Sequence, residues 1–516
     1  MNGLYDSELP PAAQRAALRT GSVPVAVYGL GKMGLPVAAV LADVTGAVVG
    51  ADVDEDVVDA VQRGECHVSG EPGLPELVER VVDAGSLEAV ADPVEAAESA
   101  AVHVIVVPTL VDEEGEVDLS ALGSVLRDIA RGLDAGDTVC LESTVPPRTC
   151  EDVVVPHLAG RSGLDSDAFG VAFCPERTLS GRALRDITEA YPKIVGGVDA
   201  ESTRVAELLY DEVTENDVIT LPDATTAEAM KVFSGVYRDV NIALANEFAR
   251  YADVLDIDVR AAISAANSQP HAHILSPGPG VGGHCIPVYP HFLLSSFDVE
   301  SPLTRVARAV NDSMPAFTVD LVRDALAAAG VDTAESTVLL LGTTYRPGVN
   351  ETRNSPAFPI AEGLAKFGAT VYSTDPIVDG PDGIAAEPVS LREGLDLDPD
   401  AIVVVTPHEE FGAIDWGAIE PTIVVDCHDA LELDGTAHAE YSIGSPRTRP
   451  EATRAASGPS QERRGDAERV GHRSEERERN MTVGDGGDVH VTSRDSGDTR
   501  STSRSTGSDG SNQRDQ

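Results

Sequence analysis

Apolar residues along the first half of the chain fall in short runs separated by glycine, proline and charged stretches. Val23–Tyr28 reads as a short buried strand, followed by a glycine turn and an apolar helix through Val44, and Val48–Ala51 reads as the next strand. Further β runs stand at Val102–Val107, Thr138–Leu141, Val171–Phe173 and Ile194–Val195, with helical or turn-rich segments between them. Continuous apolar runs alternating with helical patterns predict an α/β fold built on a doubly wound parallel sheet. From Thr225 to Leu255 the pattern changes to one long helical stretch without proline, which suits a helix that joins domains or pairs with a second copy. Alternation resumes at Val338–Leu341, Thr370–Tyr372, Ile402–Val405 and Ile423–Val425, predicting a second, smaller α/β domain. The division expected is a loose extension over 1–21, an α/β domain over 22–215, a central helical domain over 216–325 and a second α/β domain over 326–445. Residues 446–516 are Ser, Arg, Asp, Glu and Gly with almost no aliphatics, a composition that cannot bury enough surface to fold, so a disordered tail is expected.

Charge narrows the picture. The chain carries 86 acidic against 38 basic side chains, a formal charge of -48. The tail holds the two signs in equal number, so the whole imbalance falls on residues 1–445. Such a surface repels nucleic acid and anionic membranes, and it repels itself unless salt screens it, which points to a halophile's cytoplasm. Six cysteines show neither a C-x-x-C pair nor metal-ligand spacing, so no metal is expected and a reducing interior is. Met1 to Thr20 lacks the apolar core of a signal peptide, and no apolar run approaches membrane-spanning length, so a cytoplasmic protein is expected.

The glycine turn between the first strand and helix spells Gly29-Leu30-Gly31-Lys32-Met33-Gly34. A bare G-x-G-x-x-G is weak, since many glycine turns bind nothing. Here a strand precedes it and a helix follows, as in a Rossmann-like fold, and Asp52 closes the second strand where a carboxylate reaches the adenosine ribose hydroxyls. The first glycine permits the tight turn, the second the approach of a pyrophosphate and the third close helix packing. Asp54, Glu55 and Asp56 would repel a 2′-phosphate, favouring NAD over NADP.

A second glycine-rich stretch, Ser276-Pro277-Gly278-Pro279-Gly280-Val281-Gly282-Gly283-His284-Cys285, ends on a thiol. Most cysteines are inert packing residues. In a chain with a nicotinamide site, however, a thiol can trap an aldehyde as a thiohemiacetal whose carbon then gives up a second hydride. Only four lysines remain in the chain, Lys32, Lys193, Lys231 and Lys366, so each has a raised chance of a role arginine cannot fill. Lys231, Gly235 and Arg238 share one helix face, two cations flanking a glycine-sized gap that could seat a sugar-phosphate.

At these residues the chain resembles the UDP-glucose/GDP-mannose dehydrogenase family over about residues 22–440. The shared wording is G-L-G-K-M-G-L-P (29–36), V-P-T (107–109), E-S-T-V-P-P (142–147), C-P-E-R (174–177), Y-R-D-V-N-I-A-L-A-N-E-F (237–248), G-P-G-V-G-G-H-C-I-P (278–287) and T-R-N-S-P (352–356). The G-G-H-C spelling and the R-D-V-N helix look most like the branch acting on UDP-N-acetylmannosamine, although UDP-glucose and UDP-N-acetylglucosamine enzymes share much of it. The resemblance implies an N-terminal NAD domain, a central helical dimerisation domain, a C-terminal UDP-sugar domain and a homodimer. It implies Cys285 as nucleophile and Lys231 as the group handling oxyanion and proton, with Glu176 and Thr144 near the reacting carbon and water. Thr109, Thr144 and Arg353 match cofactor contacts beside Gly29, Gly31, Lys32, Met33, Gly34 and Asp52. Arg177, Lys231, Arg238, Gly282, Tyr345 and Arg346 match substrate positions.

Three positions depart from the family's pattern. Gly235 stands where an asparagine is usual, Tyr289 where an aspartate is usual four residues after the cysteine, and His271 where a substrate-binding arginine is expected. The resemblance implies that Gly235 and Tyr289 border one pocket, where the tyrosine ring could occupy the space the missing asparagine leaves. The leading expectation is a two-step oxidation of a UDP-hexose at C6 through Cys285, in polysaccharide biosynthesis. Its rivals are a paralogue that holds NAD and UDP-sugar without turnover, and a one-step hydroxyacid dehydrogenase, which would leave the glycine-cysteine loop unexplained.

Overall fold

The computed structural model describes residues 3–112 and 114–447. In sequence order the strands of the first half are β1 (Val25–Tyr28), β2 (Val48–Ala51), β3 (Leu87–Val90), β4 (Val102–Ile105), the ribbon β5 (Leu110–Val111) and β6 (Val117–Asp118), β7 (Thr138–Leu141), β8 (Gly170–Phe173), β9 (Lys193–Gly197) and β10 (Val218–Thr220). All but the ribbon join one sheet in the order β10-β9-β8-β7-β4-β1-β2-β3. Every residue of β1, β4, β7 and β8 is buried, because helices cover both faces; hence their apolar runs are continuous. Val25 and Val27 face one core layer with Leu35 and Leu41, while Ala26 and Tyr28 face the other with Leu126 and Leu158. From β3 to β8 the pairing is parallel, as the alternation predicts. Within this doubly wound sheet β9 reverses, running antiparallel to β8, with Ala172 opposite Gly197 and Phe173 opposite Gly196.

The second sheet comprises β11 (Thr337–Leu341), β12 (Thr370–Thr374), β13 (Glu387–Pro388), β14 (Ala401–Val404), β15 (Ile423–Asp426) and β16 (Ala439–Ser442). Its order is β13-β12-β11-β14-β15-β16, parallel throughout. Both sheets therefore reverse strand order beside their first strand, and that reversal opens a crevice at the carboxyl ends where nucleotides bind in such folds.

Between them runs the helix Ala224–Ala249, capped by the Asp223 side chain accepting from Thr226 N at 2.6 Å. It ends near Arg250, a few residues short of the predicted Leu255, and the short helix Ala252–Leu255 follows. Against it packs the helix Pro302–Asp312. A buried polar group locks the pair: Arg308 donates to Asp239 at 2.5 Å, and Asn311 donates to the same carboxylate at 2.8 Å.

The first twenty residues are not the loose extension their composition suggests. Pro11–Arg19 is helical, Leu4 and Leu18 are buried in the first core, and Arg15 and Arg19 both pair with Glu212. Among the described residues no helix is long and apolar enough to cross a membrane, and no group of three or more His, Cys, Asp or Glu could hold a metal. The expected disordered tail lies, from residue 448 onward, outside the described residues.

Candidate active site

The carboxyl ends of β1, β4, β7 and β8 deliver four segments to one end of the first sheet. After β1, Gly29 takes φ +92°, and a Cβ there would meet Val106 O at 2.4 Å. A Cβ at Gly34 would meet Gly29 O at 1.8 Å, so neither position admits a side chain. A Cβ at Gly31, by contrast, would meet nothing within 4 Å, which leaves open space over the turn at the start of the helix Gly34–Thr45. Asp52, at the end of β2, accepts from Leu30 N at 2.7 Å and so sits directly under that turn. An open glycine turn with a carboxylate beside it fits a dinucleotide's pyrophosphate and ribose.

After β4 and β7 the V-P-T and E-S-T segments are tied together. Thr109 donates to Thr144 O at 2.6 Å, and Ser143 donates to Val107 O at 2.7 Å. After β8, Glu176 meets the long helix: Lys231 Nζ donates to the Glu176 backbone oxygen at 2.5 Å and to its carboxylate at 3.1 Å. Burial alone would raise the Glu176 pKa, but the Lys231 charge and two hydrogen bonds from Thr178, both 2.9 Å, hold it below the usual carboxylate range. Three residues earlier on the helix, Glu228 is fully buried and accepts from Arg148 N at 2.5 Å and Cys150 N at 2.8 Å. It thereby fastens the lysine-bearing helix to the strand end carrying Thr144. Burial pushes Glu228 up to about 7.

The cysteine loop arrives from the other side. Gly278 N donates to Asn246 on the long helix at 2.9 Å, and Arg260 donates to Pro277 O and Cys427 O, both at 2.9 Å, pinning the loop's base to the second sheet. Its tip rests on the segment after β11. A Cβ at Gly282 would meet Tyr345 Cβ at 2.7 Å, Gly283 N donates to Arg353 O at 2.9 Å, and Asn354 donates to Gly283 O at 2.9 Å. Cys285 is an exposed residue, whereas Cys140, Cys150, Cys174 and Cys427 are buried. Desolvation raises the Cys285 pKa; the Lys231 charge, the neighbouring Tyr289 hydroxyl and the Arg238 charge work against that, and Glu176 adds to it.

Cys285, Lys231, Glu176 and Thr144 are thus drawn together by four segments distant in sequence. At the junction with the second sheet, Lys32 donates to Asn350 O at 3.1 Å and pairs with Glu351 at 3.3 Å; Glu351 also holds His284, and Arg353 lies 3.3 Å from the His284 ring. This connects the glycine turn to the cysteine loop. Arg346 donates to Ser180 O at 2.8 Å. Arg177 turns toward Pro192 O, 3.1 Å away, and lies over the Tyr191 ring at 5.6 Å. His271 stands on an exposed turn after the helix Val259–Ala266, outside this cluster.

One expectation is overturned. The gap over Gly235, read as a seat for a sugar-phosphate, is filled: a Cβ there would lie 2.2 Å from Tyr289 Cδ2. Tyr289 starts the helix Tyr289–Leu294 and is buried, so its ring projects into the lysine-bearing face. Sequence reading also missed Glu351, His284, Arg260 and Thr178, polar residues with no spacing signal of their own. His284 alone sat in a marked motif.

The chain matches three domain families in order. Residues 23–214 match the NAD binding domain of the UDP-glucose/GDP-mannose dehydrogenase family, 225–313 its central domain and 339–433 its UDP binding domain. A UDP-N-acetyl-D-mannosamine dehydrogenase of Pyrococcus horikoshii is 38% identical over 398 residues, 77% of this chain and 92% of that protein. An NDP-N-acetyl-D-galactosaminuronic acid dehydrogenase of Ralstonia nicotianae is 34% identical over 415 residues, 78% of this chain and 95% of that one. Among solved structures, a UDP-D-ManNAc dehydrogenase from Pyrococcus horikoshii superposes with a TM-score of 0.77 at 34% identity, covering 83% of this chain and 100% of its own. A UDP-glucose dehydrogenase from Pyrobaculum islandicum superposes with a TM-score of 0.74 at 25% identity, covering 82% and 98%.

Proposed function

Because this chain belongs to the UDP-glucose/GDP-mannose dehydrogenase family, as an NAD-dependent UDP-sugar dehydrogenase, we propose that it oxidises C6 of UDP-N-acetyl-D-mannosamine to the uronate through Cys285. The observation that carries the reading is an exposed cysteine at the tip of a glycine loop, set against the Lys231–Glu176 pair. Gly29, Gly31, Met33, Gly34, Asp52, Thr109 and Arg353 would hold NAD, which when bound accepts the hydride from C6 in each oxidation. The Lys231 ammonium steadies the C6 oxyanion as the aldehyde forms, and the ionised Glu176 beside it takes the hydroxyl proton. Cys285 then forms a C–S bond to the aldehyde carbon, giving a thiohemiacetal whose oxidation leaves a thioester. Water adds to that acyl carbon, the C–S bond breaks, and the thiol returns with the carboxylate released. Tyr345, Arg346 and the Gly282 backbone border the side from which the UDP portion enters, with Arg177 and Arg238 at its rim.

We assign a homodimer on similar grounds. The long helix leaves Phe233, Tyr237 and Leu244 exposed on one face, next to exposed Leu303 and Val306 of the helix Pro302–Asp312. An apolar face of this kind on a chain so acidic suits a second copy. The acidic surface supports a salt-rich cytoplasm as its setting.

Product analysis with a panel of UDP-hexoses in molar KCl tests the reading. Two NADH per uronate are expected, with UDP-N-acetyl-D-mannosamine preferred and Cys285→Ala inactive. One NADH per product, or an active Cys285→Ala enzyme, would overturn the thiol mechanism.

A further inference from the structure

We infer that Tyr289 is a catalytic residue of this reaction, its hydroxyl holding the sulfur of Cys285, and that Gly235 lacks a side chain in order to admit its ring. The inference rests on the thiol chemistry proposed above. Four observations place the tyrosine. Its backbone N–H donates to Cys285 O at 2.9 Å, so the two residues stand one helical turn apart and share a face. Its ring lies on the Gly235 backbone: a Cβ there would meet Cγ at 3.1 Å, Cβ at 3.2 Å and Cδ2 at 2.2 Å, the last closer than a side chain could approach without moving the ring. The Phe292 ring, 5.8 Å away, and Val232 close the pocket from behind. At the far end, the hydroxyl lies 3.1 Å from Thr144 Oγ1, on the side facing Cys285, whose thiolate it favours.

A tyrosine used only for packing would need one partner for its hydroxyl, and Thr144 would suffice. Here the hydroxyl also neighbours the sulfur that forms and breaks the C–S bond, and the two groups influence each other's ionisation. A phenol can accept from one hydroxyl while donating to another group. With Thr144 donating to Tyr289, and Tyr289 donating to the sulfur, the pair stabilises the thiolate over the thiol. That state is needed twice, when sulfur attacks the aldehyde and when it leaves the acyl carbon. No proton need leave the tyrosine: burial and the nearby Cys285 and Glu176 hold its pKa well above the ordinary phenol value. The charged and titratable groups facing Cys285 are Lys231, Glu176, Arg238 and Tyr289, with Tyr345 across the loop.

The decisive variant is Tyr289→Phe, which keeps the ring over Gly235 and removes one oxygen. Full-length protein in molar KCl is treated with iodoacetamide across a pH series, and the peptide carrying Cys285 is quantified by mass spectrometry. The alkylation midpoint is expected to move up by about one pH unit, and kcat to fall roughly tenfold with KM little changed. Gly235→Asn should lower kcat by displacing the ring, Tyr289→Asp by leaving a void, and the double variant should recover most of the loss. A Tyr289→Phe protein with wild-type kcat and alkylation profile would overturn the role of the hydroxyl. Strictly additive losses would overturn the shared pocket. Should wild type yield one NADH per sugar, the thiol mechanism fails instead, while the alkylation profile still reads the Tyr289–Cys285 contact.

Discussion

Glu228→Gln should flatten part of the protein's stability–pH curve. The carboxyl is fully buried and its two oxygens accept from Arg148 N and Cys150 N, yet desolvation leaves it at about 7 in the fold. In the unfolded chain it titrates near the ordinary glutamate value of 4.5. Between those pH values the folded protein keeps a proton that the unfolded chain has released, so stability falls as pH rises through the window. Above about 7 both states are ionised and this group adds no further slope. At about 1.4 kcal/mol per pH unit, the gap is worth about 3 kcal/mol, most of it between pH 5 and 7. Glutamine cannot ionise, but its amide nitrogen faces one of the two N–H donors, a pH-independent cost of about 1–3 kcal/mol. The assay is urea unfolding followed by far-UV circular dichroism in constant molar KCl, wild type against Glu228→Gln, from pH 5 to 8. Wild type should lead the variant most at pH 5, and the lead should shrink by about 2–3 kcal/mol by pH 7.5. Parallel curves would show that Glu228 is ionised across the range and that burial does not control it.

Lys231→Met should lower kcat at least about a hundredfold, because it removes the oxyanion partner and leaves the Glu176 carboxylate buried against an apolar chain; turnover within tenfold of wild type would remove Lys231 from the chemistry. Dialysis into dilute buffer should unfold or inactivate the protein and molar KCl should restore it, since screening shrinks to about 3 Å at 1 M; full stability without salt would refute a halophilic design. His271→Ala should leave kcat/KM for the UDP-sugar within about twofold, given its position outside the cysteine cluster; a tenfold loss would place that turn in the substrate site. Sedimentation should report a dimer that Tyr237→Asp weakens, and a monomeric wild type would leave the apolar helix face without its assigned partner.

Much of the molecule was legible because parallel strands covered on both faces leave continuous apolar runs. The runs ending at Tyr28, Ala51 and Leu141 all became strands at the expected places. Leu87–Val90 escaped notice because Glu88 interrupts a four-residue run. The direction of β9 was hidden for a different reason: alternation shows that a strand exists, not which way its connection brings it back. The opening helix was misread because its burial depends on Leu4 and Leu18 reaching a core built mostly by later residues. In the active site, glycine turns and the thiol announced themselves by composition. Gly235 and Tyr289, more than fifty residues apart, announced themselves only as paired departures from the family's pattern, and the ring does fill the space over the glycine as that pairing implied.

The scarcity of lysine makes amine chemistry unusually selective on this protein. Lys366 and Lys32 present side chains 69% and 48% exposed, whereas Lys193 is held at 15% by Glu142 and Lys231 at 10% by Glu176. A reagent that acylates amines would therefore load Lys366 as an ordinary surface group and Lys32 as a reporter on the glycine turn. The catalytic candidate stays shielded until its carboxylate partner lets go. Immobilisation through amines would likewise attach the chain at very few points, one of them beside the cofactor turn. Coupling through carboxylates would scatter attachment over the whole acidic surface.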